Sequence, residues 1–258
     1  MIKFTIITCT YQAEKELPRT LESVLIQTHT RVEHLIVDGA STDETVRLAH
    51  DYATRSDEQH SGHDVVVVSE HDKGLYDAMN KGLKQATGDY VVFLNAGDAF
   101  PTCDTLERVA ASVGESERLP GVLYGDTDIV DAKGRFVRHP RLSPPKKLTW
   151  QSFLHGMLVC HQAFYARTDL AKSNLYDLRY RYSADVDWCI RVMKAAHKQQ
   201  LPLRNVHAVV VNYLDGGMTE KNHRASLKER FCVMTRHYGW IPTVGMHLWF
   251  ALRNVLRR

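Results

Sequence analysis

Four short apolar segments in the first hundred residues constrain the fold of this chain more than any other feature. Each is followed by a polar stretch, and together they comprise residues 4–7 (FTII), 35–37 (LIV), 65–68 (VVVV) and 90–94 (YVVFL). Segments with the period of an amphipathic helix separate them, at about 14–27 and 75–86 among others. Alternating strands and helices are typical of parallel sheets, so we predict an α/β fold built on a mostly parallel sheet flanked by helices.

The pattern changes after Pro101. A short helical segment at about 104–113 precedes two alternating runs on either side of residues 131–134 (DAKG), which predicts a β-hairpin. Farther along we expect a strand in residues 158–166 (LVCHQAFYA), a helix at about 184–196 and a strand in residues 207–214 (HAVVVNYL). The second part of the chain is therefore expected to add a smaller, mixed sheet.

Composition and charge limit the class of protein. Of the 258 residues, 44% are hydrophobic and 24% are charged, which is ordinary for a globular domain and excludes a disordered chain. The net charge is +3, but residues 221–258 contain eight Lys or Arg and one acid, so they carry +7 and residues 1–220 carry −4. A nucleic-acid-binding domain would spread its basic residues over the main body, so we expect no nucleic-acid partner.

The cysteines and the apolar segments predict the compartment. The five cysteines are scattered and form no C-x-x-C pair, so we expect reduced thiols and no structural zinc site. The start of the chain, MIKFTIITCTY, is too short and too polar for a signal peptide, and no segment offers about 20 apolar residues for a membrane span. We therefore expect a soluble cytoplasmic protein.

Acidic residues follow three of the four predicted strands, at the edge where open parallel sheets bind their ligands. They are Asp38 and Asp43, then Glu70, Asp72 and Asp77, and then Asp98. No glycine-rich phosphate loop of the G-x-x-x-x-G-K-[ST] or G-x-G-x-x-G type follows the first strand. Acids that face a diphosphate need a divalent cation between them, so we predict that Asp98 holds Mn²⁺ or Mg²⁺ and that the small residues before it leave room for a sugar nucleotide.

Three stretches of the sequence resemble the family 2 glycosyltransferases of GT-A fold. They are residues 5–45 (from TIITCTYQAEKELP to DGASTDET), residues 70–98 (EHDKGLYDAMNKG to VVFLNAGD) and residues 182–192 (YSADVDWCIRV). Within this family the chain is similar to the small bacterial enzymes that build exopolysaccharide, capsule or O-antigen. The resemblance implies a Rossmann-like GT-A domain and an inverting, hexosyltransferase-type transfer from a nucleoside diphosphate donor to an acceptor hydroxyl.

The resemblance also assigns candidate site residues. It implies a general base at Asp185, a metal ligand at Asp98 and contacts to the donor from Thr8, Tyr11, Asp38, Asp72, Asp77, Asn80, Lys81 and Asn95. A base of this kind takes the proton of the acceptor hydroxyl as its oxygen attacks the anomeric carbon. The sequence departs from the family at the metal motif, because Asn95-Ala96-Gly97-Asp98 stands where many members read D-x-D-D. Metal binding would therefore depend on one carboxylate together with phosphates and water.

From this resemblance and from the charge distribution, we predict that the chain has three parts. Residues 1–100 would bind the nucleotide sugar, residues 101–220 would form the acceptor side of the same domain, and residues 221–258 would form a basic, amphipathic helical segment. The acceptor is expected to be a glycan or a lipid-linked glycan. The last segment combines two tryptophans with a basic rim, which is typical of helices that lie on anionic membranes at the inner face of the cell membrane.

Other interpretations of these features stay open from sequence alone. A sugar nucleotidyltransferase would also bind a metal ion and a nucleotide. A degenerate glycosyltransferase without activity would have the same fold as an active one. Asp38 and Asp98 are also typical turn residues, and Asp43 and Asp185 are typical of helix N-termini. His161 could be structural or could contact the acceptor, His223 could reach a metal, and the C-terminal segment could simply pack on the domain.

Overall fold

The computed structural model describes residues 1–115, 118–216 and 223–255. Its elements in chain order are β1 (Phe4–Thr10), α1 (Leu17–Leu25), β2 (Val32–Asp38), α2 (Thr45–Glu58), β3 (His63–Ser69), α3 (Leu75–Gln85), β4 (Tyr90–Phe93), α4 (Thr105–Ala111), β5 (Val122–Val130), β6 (Phe136–Arg138), β7 (Phe164–Arg167), α5 (Thr168–Lys172), α6 (Ala184–Lys198), β8 (Leu203–Leu214), α7 (His223–Tyr238) and α8 (Trp240–Val255). Two short 3₁₀ helices lie at Trp150–His155 and His161–Ala163.

The eight strands in the described residues belong to one sheet with the order β3-β2-β1-β4-β7-β5-β6, and β8 pairs with β5. Strand β1 lies at the centre of the parallel part, between β2 and β4, and β3 pairs in parallel with β2. The carboxyl ends of these four strands therefore meet at one edge, as the sequence predicts. The predicted mostly parallel α/β architecture is confirmed.

Helices cover both faces of the parallel strands. Strand β1 is buried along its whole length, which explains why its residues are apolar or small and do not alternate. Helices α1 and α2 pack through Leu17, Leu21 and Tyr52 in one apolar cluster, whereas α3 contributes Met79 and Leu83 to the larger core. This core extends beneath the second part of the sheet.

The mixed part of the sheet follows the predicted hairpin. Strands β5 and β6 are antiparallel around the turn that begins at Asp131, whose side chain accepts hydrogen bonds from the Lys133 and Arg135 amides. Strand β7 is antiparallel to both β4 and β5, so it joins the two parts of the sheet.

The strand predicted for residues 158–166 is wrong in its first half. Residues His161–Ala163 form a 3₁₀ turn, and the strand begins only at Phe164. The side chains of His161 and Gln162 are both buried, and both have partners in the interior. Consecutive residues of a strand point to opposite faces of the sheet, whereas this turn brings His161 to Tyr176 and Gln162 to Asp98.

Helices α7 and α8 form the C-terminal part of the described structure. Helix α7 packs on α6, and α8 packs on α7 and on the 3₁₀ helix Trp150–His155. Among the described residues, no helix is long and apolar enough to cross a bilayer.

Candidate active site

The carboxylate of Asp38 ends β2 and holds the turn that follows it. Its two oxygens accept hydrogen bonds from the hydroxyls of Thr10, Ser41 and Ser69 and from the Ser41 amide. Burial would raise the pKa of Asp38, but the hydrogen bonds from Ser41 and Ser69 outweigh burial and lower it. Asp38 is thus an ionised turn residue that is only 1% exposed. Its contact with the nucleobase or the ribose of the donor stays a prediction.

Two strained residues shape the loops that follow β1 and β2. Gln12 and Ala40 both have positive φ angles, 49° and 63°, which side-chain-bearing residues adopt at a cost. The Gln12 amide group bonds to Thr42 and Asp43, so the two loops are fixed to each other.

Tyr11, Gly39 and Asp72 lie close together at these strand ends. The Tyr11 ring is 68% exposed, and a Cβ atom added at Gly39 would lie 3.4 Å from that ring and 2.6 Å from the Asp72 carboxylate. A larger residue at this position would displace the Asp72 carboxylate. An exposed aromatic ring can stack on a nucleobase, and the nucleotide contact of Tyr11 stays a prediction.

The loop after β3 brings the remaining charged candidates to the same side. Asp72 accepts the Gly74 amide, and Asp77 accepts the Lys73 amide at the start of α3. The Lys81 ammonium bonds to the Glu70 carboxylate at 2.9 Å, and this contact raises the pKa of Lys81. Asp72 and Asp77 thus order the loop.

Thr8 and Asn80 are engaged inside the protein. The Thr8 hydroxyl is fully buried and bonds to His34 and to the Leu94 carbonyl. The Asn80 amide bonds to both backbone groups of Tyr176. Both side chains thus have partners inside the protein, and their predicted donor contacts stay predictions.

Asp98 lies at the end of the loop after β4 and is 4% exposed. Its carboxylate accepts the Leu214 amide at 2.9 Å and the Gln162 amide at 3.0 Å. Burial raises the pKa of Asp98 to about 7, since the hydrogen bonds and the nearby Arg19 compensate only in part. Beside it, the Asn95 side-chain oxygen is buried without a hydrogen-bond partner among the described residues.

Asp185 lies in the first turn of α6 and is partly exposed. One of its oxygens accepts the Val186 amide at 2.9 Å and the Tyr76 hydroxyl at 3.3 Å. Burial, and then the charge of Asp185, raise the pKa of Tyr76 well above its usual value, so this hydroxyl stays a donor. In the part of the chain that the structure describes, Asp185 has no ion-pair partner.

Asp187 has a different role, although it lies only two residues farther along. It is fully buried, and its carboxylate bonds to His237 of α7 at 2.8 Å and to Arg191 at 2.7 Å. The pair holds α7 on α6, which removes Asp187 from the candidates for the base.

Sequence reasoning missed Glu229 of α7. Its carboxylate accepts the backbone N–H groups of Arg181, Tyr182 and Ser183 at 2.7–3.0 Å. These residues lead directly into α6, so the C-terminal helix fixes the turn that carries Asp185. A lone Glu in a polar helix gives no sequence signal for such a contact.

The sequence model of Glycosyl transferase family 2 matches residues 5–172, about two thirds of the chain. The chain is a family 2 glycosyltransferase. It is 34% identical over 235 residues to a PGL/p-HBAD biosynthesis glycosyltransferase of Mycobacterium bovis, which covers 90% of this chain and 85% of that relative. It is 28% identical to the amylovoran biosynthesis glycosyltransferase AmsB of Erwinia amylovora, over 81% of this chain and 70% of the relative.

Solved structures show the same fold. TarS of S. aureus in complex with UDP-GlcNAc has a TM-score of 0.71 at 19% identity, over 96% of this chain and 73% of that chain. A mannosyltransferase of Pyrobaculum calidifontis in complex with GDP-Man and Mn²⁺ has a TM-score of 0.65 at 18% identity, over 96% and 70%. The predicted GT-A fold is confirmed, and so is the resemblance to bacterial enzymes of surface glycan synthesis.

His161 is a structural residue of this glycosyltransferase. Its ring stacks on Phe93 and bonds to the Tyr176 hydroxyl, and burial lowers the pKa of His161 to about 4. Its neighbour Gln162 has the more direct link to the site through Asp98. His223 begins α7, and its side chain lies outside the described residues.

The raised pKa of Asp98 predicts a pH-dependent stability. Between an unfolded pKa of 3.8 and the folded value of about 7, the folded protein keeps a proton that the unfolded chain releases, so the free energy of unfolding falls as pH rises. Asp98→Asn does not titrate. We compare the free energies of unfolding of Asp98→Asn and the wild type by urea denaturation without divalent ions. Between pH 4 and pH 8, we expect the variant to gain about 3 kcal/mol in stability relative to the wild type.

Asp57→Asn, at an exposed position of α2, is the control and should follow the wild-type pH profile. Parallel profiles for Asp98→Asn and the wild type would contradict the prediction.

Glu229→Ala should loosen the segment before α6, because three backbone N–H groups lose a charged acceptor. We expect a loss of about 2–4 kcal/mol in unfolding free energy, and faster hydrogen exchange of the 181–183 amides under native conditions. Glu107→Ala, an exposed substitution on α4, should change neither quantity. Unchanged exchange at residues 181–183 would show that Glu229 does not hold this segment.

Proposed function

We propose that this glycosyltransferase is an inverting enzyme in which Asp185 is the general base. The observation that carries the proposal is the Asp185 carboxylate itself, which is partly exposed, oriented by Tyr76 and Val186, and not neutralised by a cation among the described residues. Such a carboxylate can accept a proton. The family membership supplies the reaction class.

The proposed reaction forms one bond and breaks one bond at the anomeric carbon. The acceptor oxygen attacks this carbon from the side opposite the nucleoside diphosphate, and the carbon–oxygen bond to the diphosphate breaks. The hydroxyl proton passes to Asp185 late in the attack, because a neutral hydroxyl is a much weaker acid than a carboxylic acid. The diphosphate leaves with the electron pair and its negative charge, and attack from the opposite side inverts the anomeric centre.

The donor site proposed here lies between Tyr11, Gly39 and Asp72. Tyr11 would stack on the base and Asp72 would contact the ribose, whereas Asp38 holds the turn between them. Lys81 and Asp77 lie in the adjacent loop. A nucleoside diphosphate sugar is supported by the similar structures, since TarS binds UDP-GlcNAc and the mannosyltransferase binds GDP-Man.

A divalent cation at Asp98 is also part of the proposal. The described residues contain no group of three or more acidic, His or Cys side chains that could hold a metal ion, so the protein would supply few of its ligands. A buried carboxylate without an ion pair fits a cation, and so does the unpartnered oxygen of Asn95. When bound, Mn²⁺ or Mg²⁺ would offset the charge of the departing diphosphate. The mannosyltransferase structure contains Mn²⁺.

Asp185→Asn tests the assignment of the base. An amide cannot accept the proton, so we expect kcat for sugar transfer to fall by about 10²-fold or more while donor affinity stays within about 3-fold. The measurements are initial rates with UDP- and GDP-sugars in Mn²⁺, and donor binding by calorimetry.

Asp57→Asn should retain full activity. If donor affinity falls together with the rate, Asp185 is a binding or structural residue. The same assay in EDTA addresses the cation, because equal rates in EDTA and in Mn²⁺ would remove the metal from the mechanism.

We further propose that α8 places the enzyme on an anionic membrane at the cytoplasmic face, where a lipid-linked glycan acceptor would be found. Large apolar side chains stand out from this helix into solvent, namely Trp240, Ile241, Leu248, Trp249 and Leu252. The segment 221–258 carries +7 in sequence, and each basic residue near an anionic surface adds about 1 kcal/mol at low salt. Apolar insertion and charge attraction would act together.

Replacement of Trp240 and Trp249 by Ser should abolish sedimentation with phosphatidylglycerol vesicles while nucleotide binding remains intact, because both rings are more than half exposed. The wild type should sediment at low salt and be released as salt rises. Phe136→Ser, which removes an exposed ring on β6, is the matched control. A wild-type protein that fails to sediment would rule out the membrane contact.

A further inference from the structure

A cavity of about 430 Å³ lies between β5, β8 and the loops that precede β7. Its apolar wall consists of Ile129, Pro140, Leu142, Pro144, Met157, Leu158 and Val209. Polar side chains are in the minority, and they are Asp126, Thr127, His139, Ser143, Cys160 and Tyr213. This volume is within the range of small-molecule sites, so the cavity can take a group larger than a few waters.

The Thr127 hydroxyl is a buried polar group of this wall. Thr127 is 6% exposed, and its oxygen forms no hydrogen bond to a nitrogen or oxygen atom among the described residues. The Cys160 thiol is its neighbour and donates instead to the Gln162 side chain at 2.9 Å. A thiol sulfur is a weak hydrogen-bond acceptor, so this hydroxyl can still bond to an oxygen of a ligand in the cavity.

Contacts through two residues connect the cavity to the candidate active site. Cys160 contacts Gln162, which donates to the Asp98 carboxylate. Tyr213 precedes Leu214, whose amide donates to the other oxygen of Asp98. Burial, followed by the charges of neighbours that include Asp98 and Asp185, raises the pKa of the Cys160 thiol to about 12. One wall of the cavity is therefore connected to Asp98 through Gln162 and Leu214.

The chemistry of the wall distinguishes between possible occupants. A sugar ring buries several hydroxyls, and each of them needs a hydrogen-bond partner. The prolines, aliphatic side chains and Met157, which form the larger part of the wall, offer none. An apolar group instead gains free energy in proportion to the area that it buries, and Met157 adapts to the shape of its neighbour.

We propose that this cavity binds an apolar aglycone of the acceptor, attached close to the hydroxyl that receives the sugar. The inference rests on the proposed transfer reaction and names its acceptor class: a hydroxyl compound or glycoside with a compact apolar group. The Thr127 hydroxyl bonds to the oxygen that links the aglycone to the rest of the acceptor. A free polysaccharide end lacks such a group and binds more weakly.

Three glycosides that differ only in the aglycone test this proposal: methyl, phenyl and octyl β-D-glucoside. In the presence of UDP, binding is measured by saturation-transfer NMR and by competition titrations. We expect phenyl or octyl glucoside to bind at least about 10-fold more tightly than methyl glucoside, because burial of one apolar side chain is worth about 1.5–3 kcal/mol. A preference between phenyl and octyl distinguishes a ring from a chain.

Met157→Trp and Leu142→Trp fill the cavity from two different walls. Each should reduce the preference for phenyl or octyl glucoside over methyl glucoside to less than about 3-fold, while UDP affinity stays within about 2-fold. The second variant is used if the first does not fold. Leu178→Trp, at a half-exposed position outside the cavity wall, should bind like the wild type.

Equal binding of the three glucosides, no binding of any of them, or discrimination that both tryptophan variants retain would overturn the proposal. If the proposed transfer reaction itself is wrong, the wild type will neither bind UDP nor transfer sugar. That result does not depend on which aglycone the protein prefers.

Discussion

The buried carboxylate of Asp98 joins the two parts of this enzyme. Its backbone carbonyl accepts the Thr20 hydroxyl of α1, and its carboxylate accepts the amides of Leu214 and Gln162 from the mixed part of the sheet. A bridge between Ala99 and Asn212 continues the same contact. The loop after β4 therefore cannot move independently of β8. In the part of the chain that the structure describes, this buried carboxylate has no ion pair, which is unfavourable for a charge unless a ligand or a cation uses it.

The second group of contacts extends the active site to the C-terminus. Glu229 fixes the segment before α6, and the buried pair of Asp187 and His237 holds α7 along the same helix. Helix α7 is thus part of the framework that positions Asp185. Helix α8 differs because Trp240, Ile241 and Leu248 are exposed on it. The two C-terminal helices therefore differ in their exposed apolar surface, although in sequence they form one basic, amphipathic segment.

At the donor edge, many of the acids that look like ligands already serve the backbone. Asp38 and Asp72 both accept amides of their own loops. Loops fixed in this way keep Tyr11 exposed and keep Gly39 against Asp72. The positive φ angles of Gln12 and Ala40 are found in the same loops, which is where a preorganised binding cleft would store strain.

The alternation of apolar and helical segments was sufficient to predict the parallel strands, their helices and the hairpin at Asp131, because these depend on local periodicity and turn chemistry. The motifs carried by the resemblance pointed to Asp98 and Asp185, which the structure places at the end of β4 and at the start of α6. Sequence could not decide which way individual polar side chains face. Thr8 and Asn80 bond inward to His34 and Tyr176, residues that are distant in sequence.

The remaining differences between prediction and structure also arise from contacts between residues that are distant in sequence. The inward turn of both His161 and Gln162 depends on Tyr176 and Asp98, and no local pattern specifies a partner 64 residues away. Glu229 becomes part of the site only because α7 folds back across the start of α6. Periodicity determined the elements of this protein, since it acts within one helix or strand. The tertiary structure alone decided which carboxylates are used by turns and which remain available for chemistry, since hydrogen bonds between distant segments make that choice.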